Sequence, residues 1–201
     1  LQGNVGQSCV AAKRFIVHKD VADAFVKGMS EAFGALKIGD PSDPTTDVGP
    51  LANAQGLRDI TDQVARSVAN GARIVCGGSR VGEQGNFYAP TILVDVKPGQ
   101  PAYDEEVFGP VAAVIVIENE AEAVRIANET PYGLGANVFT NDLERAKRVA
   151  TQIESGIVFI NDYVKSDPGM PFGGVKKSGY GRELFHYGLK EFVNIKTVSI
   201  K

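Results

Sequence analysis

The chain has 201 residues, 43% of them apolar and 22% charged, and carries a net charge of −3 with both signs mixed along its length. That length suits one domain with a sizeable core, and the charge balance offers no basic face for nucleic acid. No apolar run approaches the ~20 residues that cross a bilayer, and two cysteines and two histidines set far apart give neither a disulfide scaffold nor a metal cluster, which fits a reducing cytoplasm.

The chain opens on Leu1-Gln2-Gly3-Asn4 without an initiator methionine, and Leu1 to Val10 lack the basic start and long apolar run of a secretory signal. It reads as a segment of a longer protein. Arg14–His18 is a strand candidate, followed by a helix whose apolar face carries Val21, Phe25, Ala32, Phe33 and Leu36. The Pro- and Asp-rich stretch Asp40–Pro50 is a loop. Leu57, Ile60, Val64 and Val68 mark a second helix that Gly71 is placed to end. Ala72–Cys76 is an apolar strand candidate closed by Gly77-Gly78, and Arg80–Phe87 is a polar turn.

Thr91–Val96 and Val111–Ile117 are further strand candidates. Asn119 with Glu122, and Asn141 with Glu144, have capping-box spacing and open two short helices. Gly135–Thr140 lies between those helices as a strand, and Gly156–Ile160 follows them as a buried one. Asp162–Gly181 is a long Gly-rich loop, and Phe192–Ile200 a terminal strand. Strands alternating with helices predict an α/β fold, three layers with a mainly parallel sheet between helices. The expected organisation is one domain over 1–190 and a C-terminal strand, 191–201, free to pair with another subunit.

Taken by itself, Cys9 reads either as a nucleophile or as a structural cysteine, the commoner state for a lone one. Gly6 and the small residues around it suggest a close approach, and a helical turn over Val10–Ala12 would put the thiol at a helix N-terminus, where a thiolate is favoured. Its backbone N–H could then help hold an oxyanion. Cys76, inside an apolar strand, reads as structural.

Four segments in order carry a resemblance. They are Gly6-Gln7-Ser8-Cys9 with Ala12-Lys13-Arg14; Glu105-Glu106-Val107-Phe108-Gly109-Pro110-Val111; Gly156-Ile157-Val158-Phe159-Ile160-Asn161; and Pro171-Phe172-Gly173-Gly174-Val175-Lys176-Lys177-Ser178-Gly179, running on into Gly181-Arg182-Glu183. Together they resemble the aldehyde dehydrogenase superfamily over nearly the whole chain. The resemblance implies NAD(P)-dependent aldehyde oxidation, in which a cysteine thiolate forms a thiohemiacetal, hydride leaves to the nicotinamide, and water hydrolyses the resulting thioester. Cys9 matches the nucleophile, Glu106 the carboxylate that holds the nicotinamide ribose, and Phe108 the aromatic contact beside it. Phe172 matches a wall of the aldehyde pocket. Asn161 reads as a residue that ties backbone, and Gly173, Gly174 and Gly179 as positions needing positive φ or close approach. Lys176 and Lys177 read as solvated loop charges. The resemblance also places the family's general-base glutamate, oxyanion asparagine and most of its cofactor site upstream of the cysteine. The 201 residues alone are therefore expected to bind NAD(P) weakly and to oxidise no aldehyde at a useful rate.

Within the family the nearest likeness is to bacterial succinate-semialdehyde dehydrogenases, through Ala11–Phe15, Gly109–Ala113, and Gly173–Leu184 with His186, Tyr187 and Gly188. Ser166 matches a serine that contacts a distal carboxylate in some members. Gly3 stands where many members have arginine, the natural carboxylate clamp. The resemblance implies a homodimer or homotetramer. Two other readings stay open: a dimerisation and substrate-pocket module of different specificity, with Ile195, Val198 and Ile200 on an edge strand, or a thiol hydrolase pairing Cys9 with His18 or His186.

Overall fold

A computed structural model describes residues 3–201, and its contacts divide the chain into two compact units, one ending at Ala123 and the other covering Val124–Lys201. The sequence reading expected a single body up to residue 190. Among the described residues no helix is long and apolar enough to cross a membrane.

In the first unit, β1 (Arg14–His18) leads into α1 (Lys19–Gly34), then α2 (Ala54–Ala69), β2 (Arg73–Cys76), β3 (Thr91–Val94), the short α3 (Pro101–Asp104) and β4 (Val111–Ile117). The strands form one sheet in the order β1-β4-β3-β2; β1 and β3 lie parallel to β4, and β2 closes the edge antiparallel to β3. The α/β fold with a mainly parallel sheet is therefore as read. Both faces of β3, and of β4 as far as Ile115, are buried, while Val116 is exposed. Ile92, Val94, Ala112 and Val114 face Ala22 and the flanking Phe25, Val26, Met29 and Phe33 of α1, while Leu93, Ala113 and Ile115, on the other side of the pleat, are equally sealed.

The helices differ from expectation in phase. The stripe of α1 is Ala22, Phe25, Val26, Met29 and Phe33, with Val21 turned out to solvent. In α2 the buried row is Leu57, Ile60, Val64 and Ser67, and Val68 is exposed. Ser67 can be buried because its hydroxyl donates to the Gln63 carbonyl (2.7 Å) and accepts from the Ala102 N–H (2.9 Å), joining α2 to α3. Hydropathy favoured valine at the next position; a satisfied hydroxyl reverses that preference.

α4 (Glu120–Asn128) spans the division between the units. Asn119 caps it by accepting from the Glu122 N–H (3.0 Å), as its spacing predicts, while the Glu122 carboxylate reaches back to the Glu118 N–H (2.8 Å). The second unit holds β5 (Tyr132–Gly133), β6 (Gly135–Val138), α5 (Leu143–Ala150), β7 (Ile157–Ile160), β8 (Val175–Lys176) and α6 (Phe185–Lys190). β6 pairs parallel with β7, and β5 antiparallel with β8. The N-cap of α5 is Asp142 rather than Asn141: its carboxylate accepts from the Arg145 N–H (2.9 Å), and that bond holds the carboxyl below the usual range. β7 is half-buried rather than fully buried. The Gly-rich stretch from Asp162 contains β8, a strand too short to show periodicity.

The terminal strand Phe192–Ile200 does not form. Among the described residues the segment beyond Val193 has no sheet partner, and an extended segment becomes a strand only when a neighbour supplies the opposing N–H and C=O groups. Phe192, Ile195, Val198 and Ile200 are left 75–90% exposed.

Close backbone approach shapes the second unit at Gly156. A Cβ there would lie 1.9 Å from the Gly173 carbonyl oxygen, and the Gly156 N–H donates to the Gly133 carbonyl (2.9 Å). Gly156→Ala is expected to cost about 3 kcal/mol by forcing these segments apart, read as a lower urea midpoint; an unchanged midpoint would contradict the packing.

Candidate active site

The lead-ins to β1 and β4 converge because those strands are parallel neighbours. Arg14 is in register with Ala113. Cys9 lies five residues before Arg14, and Phe108 five before Ala113, so both emerge at the same, amino end of the sheet.

Cys9 sits exposed on a turn closed by the Ala11 N–H donating to the Ser8 carbonyl (3.1 Å). No helix follows it; β1 begins at Arg14. The helix-terminus explanation of an activated thiol is thus overturned, since Val10–Ala12 turn straight into the sheet. Ahead of the cysteine, Asn4 (φ 52), Val5 (φ 55) and Gly6 (φ 71) are all left-handed. For a β-branched valine this costs of order 1–3 kcal/mol, and the turn is held at several points. The Gln7 N–H donates to the Asn4 carbonyl (2.9 Å), and Asn4 Nδ2 to the Gln7 carbonyl (2.8 Å). Gln7 Oε1 accepts from the Ala52 N–H (2.8 Å). Lys13 Nζ donates to the Gly6 carbonyl.

The lead-in to β4 alternates. Val107 and Gly109 are buried, while Glu106 and Phe108 face outward, the ring 44% exposed. A Cβ on Gly109 would meet Ile60 Cδ1 at 2.0 Å, so this backbone lies directly on α2. Arg66 of α2 grips Glu105 with both guanidinium nitrogens (3.0 and 3.1 Å), and Gln63 Nε2 donates to Glu105 (2.9 Å) and to the Glu106 carbonyl (3.2 Å). Arg66 and then Gln63 hold the Glu105 carboxyl below its ordinary value. The clamp spends Glu105 and the main chain of Glu106 but not the Glu106 side chain, and among the described residues no donor is bound to that carboxylate.

Lys13 connects the two lead-ins. Its side chain is half-buried, and Nζ lies 4.7 Å from the centroid of the Phe108 ring. Burial pushes the ammonium down to about 8, opposed by the Glu106 carboxylate and then by the Cys9 sulfur. The sequence reading placed Lys13 in the motif and gave it no role; what could have singled it out is its place one residue before a buried strand.

The remaining residues lie in the second unit. Phe172 is half-buried and bridged to Glu183 by a pair of backbone bonds, 2.8 and 2.6 Å. Arg182 fastens this corner by donating to the Gly174 (2.9 Å) and Gly181 (2.6 Å) carbonyls. Gly173 and Gly179 have φ of 156° and 132°, and a Cβ on Gly174 would meet Ser178 Cβ at 2.4 Å, as the expected close turns require. Ser166 is exposed in the loop after Val164, which is buried beside Gly135. Asn161 has φ 53°, and its amide both accepts from the Thr140 N–H and donates to the Thr140 carbonyl (2.9 Å each), a backbone tie. Lys176 is not a free loop charge: it pairs with Glu154 (2.7 Å) and donates to the Asn128 carbonyl (2.7 Å).

His18 does not support a cysteine–histidine dyad. His18 caps α1 by accepting from the Asp20 N–H (3.3 Å), and its Nε2 meets the Glu118 carbonyl (2.9 Å), which engages both ring nitrogens. His186 stacks between Phe185 and Tyr187, with ring centroids 4.3 and 4.2 Å away. Among the described residues no group of His, Cys, Asp and Glu is arranged to hold a metal.

A profile of the aldehyde dehydrogenase family matches residues 1–198. A protein of Synechocystis sp. named probable succinate-semialdehyde dehydrogenase (NADP(+)) is 52% identical over 197 residues, 98% of this chain and 43% of that protein. Succinate-semialdehyde dehydrogenase (NADP(+)) 1 of Mycobacterium tuberculosis is 53% identical over the same share of each. The crystal structure of succinic semialdehyde dehydrogenase from Streptococcus pyogenes in complex with NADP+ superimposes with a TM-score of 0.94 at 42% identity, covering 98% of this chain and 43% of that one. The chain thus spans about 43% of the length of the relatives it matches. With the cysteine turn and the Glu106–Phe108 lead-in brought to one end of a sheet of the same form, this chain belongs to the aldehyde dehydrogenase family.

Proposed function

We propose that this chain carries the nucleophile, two cofactor contacts and part of the substrate pocket of an NADP-dependent enzyme that oxidises succinate semialdehyde to succinate. The observation that carries the reading is the exposed Cys9 thiol on a pinned turn that Lys13 joins to the half-exposed Phe108 ring, two residues from the outward-facing Glu106. The names of the relatives, at 52–53% identity, support the substrate and favour NADP over NAD.

Glu106 fits a ribose contact, because its carboxylate is exposed and its backbone is already anchored by Gln63. Phe108 offers a flat apolar face beside it. When bound, the nicotinamide supplies the acceptor for the electron pair that leaves the substrate carbon with its hydrogen. The rest falls to the protein. The Cys9 thiolate adds to the aldehyde carbon, forming a C–S bond and moving the carbonyl π pair onto oxygen. Loss of the hydrogen with its electron pair leaves a thioester on Cys9, and water then releases the acid and returns the thiol. By their motif positions, Phe172 is assigned to a wall of the aldehyde pocket and Ser166 to the far carboxylate of the substrate. Two free thiols, Cys9 and Cys76, fit a reducing cytoplasm.

A second reading concerns assembly. The nearly fully exposed Phe192, Ile195, Val198 and Ile200 favour a C-terminal segment that adds as a strand to another subunit, in a homodimer or homotetramer.

Three outcomes are expected. In the protein expressed from its complete reading frame, kcat/KM for succinate semialdehyde exceeds that for butanal at least about tenfold, and Cys9→Ser lowers kcat by about a thousandfold or more; equal kcat/KM for the two aldehydes would remove the substrate assignment. The 201 residues alone give no steady NADPH signal with succinate semialdehyde, because this stretch matches 43% of the enzymes it resembles; sustained turnover would show that it carries a complete site. Deleting residues 192–201 lowers the oligomer mass measured by light scattering, and an unchanged mass would rule out strand addition there.

A further inference from the structure

The least economical feature of the first unit is a lysine in a place where an apolar side chain would pack as well. The Lys13 stem is half-buried and its ammonium covers the Phe108 ring at 4.7 Å. Methionine or leucine could occupy that position without the cost of taking a charge out of water. The ammonium donates to the Gly6 carbonyl in the left-handed turn before the cysteine, and the Glu106 carboxylate and then the Cys9 sulfur favour its charged form against burial. The neighbouring cation, Arg14, is directed to the Tyr103 ring, 5.9 Å away.

We propose that Lys13 is a positioning residue for the nucleophile: by binding the Gly6 carbonyl and covering Phe108 it locks the cysteine turn to the cofactor-side lead-in, and it sets a positive charge beside the Cys9 thiolate. This rests on the reading of Cys9 as the nucleophile. The positive charge supplies the electrostatic support that a helix terminus would otherwise provide. It does so with a group that burial brings down to about 8. Lys13 is protonated below about 8 and neutral above it, so its help to the thiolate is present at neutral pH and fades as the solution becomes alkaline.

The test reads Cys9 and Lys13 directly, in the protein expressed from its complete reading frame, by peptide mass spectrometry that separates Cys9 from the half-buried Cys76. Iodoacetamide alkylation of Cys9 is followed between about pH 6.5 and 9.5 in wild type, Lys13→Met and Lys13→Arg. Lys13→Met is expected to react about fivefold more slowly near pH 7, the gap closing toward the alkaline end, and Lys13→Arg to recover most of the rate. A ratio that stays constant with pH would mean that Lys13 only braces the turn, and a ratio of one throughout that it does nothing; either overturns the proposal, as does a Lys13→Arg variant as slow as Lys13→Met.

Should Lys13→Met not fold, the reciprocal measurement decides. If the Lys13 cation favours the thiolate, the thiolate must hold the proton on Lys13. Cys9→Ser is then expected to lower the pH midpoint for acetylation of Lys13 by acetic anhydride, and an unmoved midpoint overturns the coupling. Because neither readout depends on turnover, a protein that shows the coupling yet oxidises no aldehyde would refute the proposed function and leave this inference standing.

Discussion

The parallel pairing of β1 with β4 is the constraint on which the candidate site depends. Antiparallel neighbours would send the residues before each strand to opposite ends of the sheet; parallel neighbours bring them to the same end. With Arg14 opposite Ala113, the cysteine turn and the Glu106–Phe108 segment are delivered side by side, although about a hundred residues separate them in the chain. The pairing is firm because β4, as far as Ile115, is buried on both faces between α1 on one side and a second apolar layer on the other, so its register cannot slip without exposing Val114 or Ile115. The candidate site therefore lies at the amino ends of the strands, whereas open α/β sheets more often bind ligands outside the carboxyl ends.

The thiol holds that place without a helix behind it. The turn ahead of Cys9 runs through three left-handed residues, one of them a valine, and such a path persists only where its surroundings over-determine it. Here the determinants are Gln7 against the Ala52 N–H, Asn4 against Gln7, and Lys13 against the Gly6 carbonyl. On the other lead-in, Arg66 and Gln63 commit Glu105 to α2. Two adjacent glutamates thus differ: Glu105 binds the segment to the fold, while the Glu106 side chain faces outward near Lys13.

Much of the architecture was legible in the sequence. The bounds of β1 and β4 follow from their apolar runs, and Asn119 announces the start of α4 through its distance from Glu122. Helix phase was less legible. Val68 yields to Ser67, whose hydroxyl is satisfied by groups that only tertiary packing supplies, and Asp142 rather than Asn141 caps α5, its carboxylate accepting from the Arg145 N–H. The Phe192–Ile200 segment is a related case: it is rich in apolar residues, but a strand is a property of two segments, and among the described residues none pairs with it.

By itself the sequence determined the α/β class, the family, and the identity of Cys9, Glu106, Phe108, Phe172 and Ser166 as residues of interest. Those depend on local pattern and on motifs, which are written in consecutive positions. Only the tertiary structure decided that Cys9 stands on a turn rather than a helix, that Arg66 takes up Glu105 and not the Glu106 side chain, and that Lys13 joins the cysteine turn to the Phe108 ring. The physical reason is that each of those facts depends on which distant groups take up a donor, an acceptor or a charge, and in this chain strand register makes that choice.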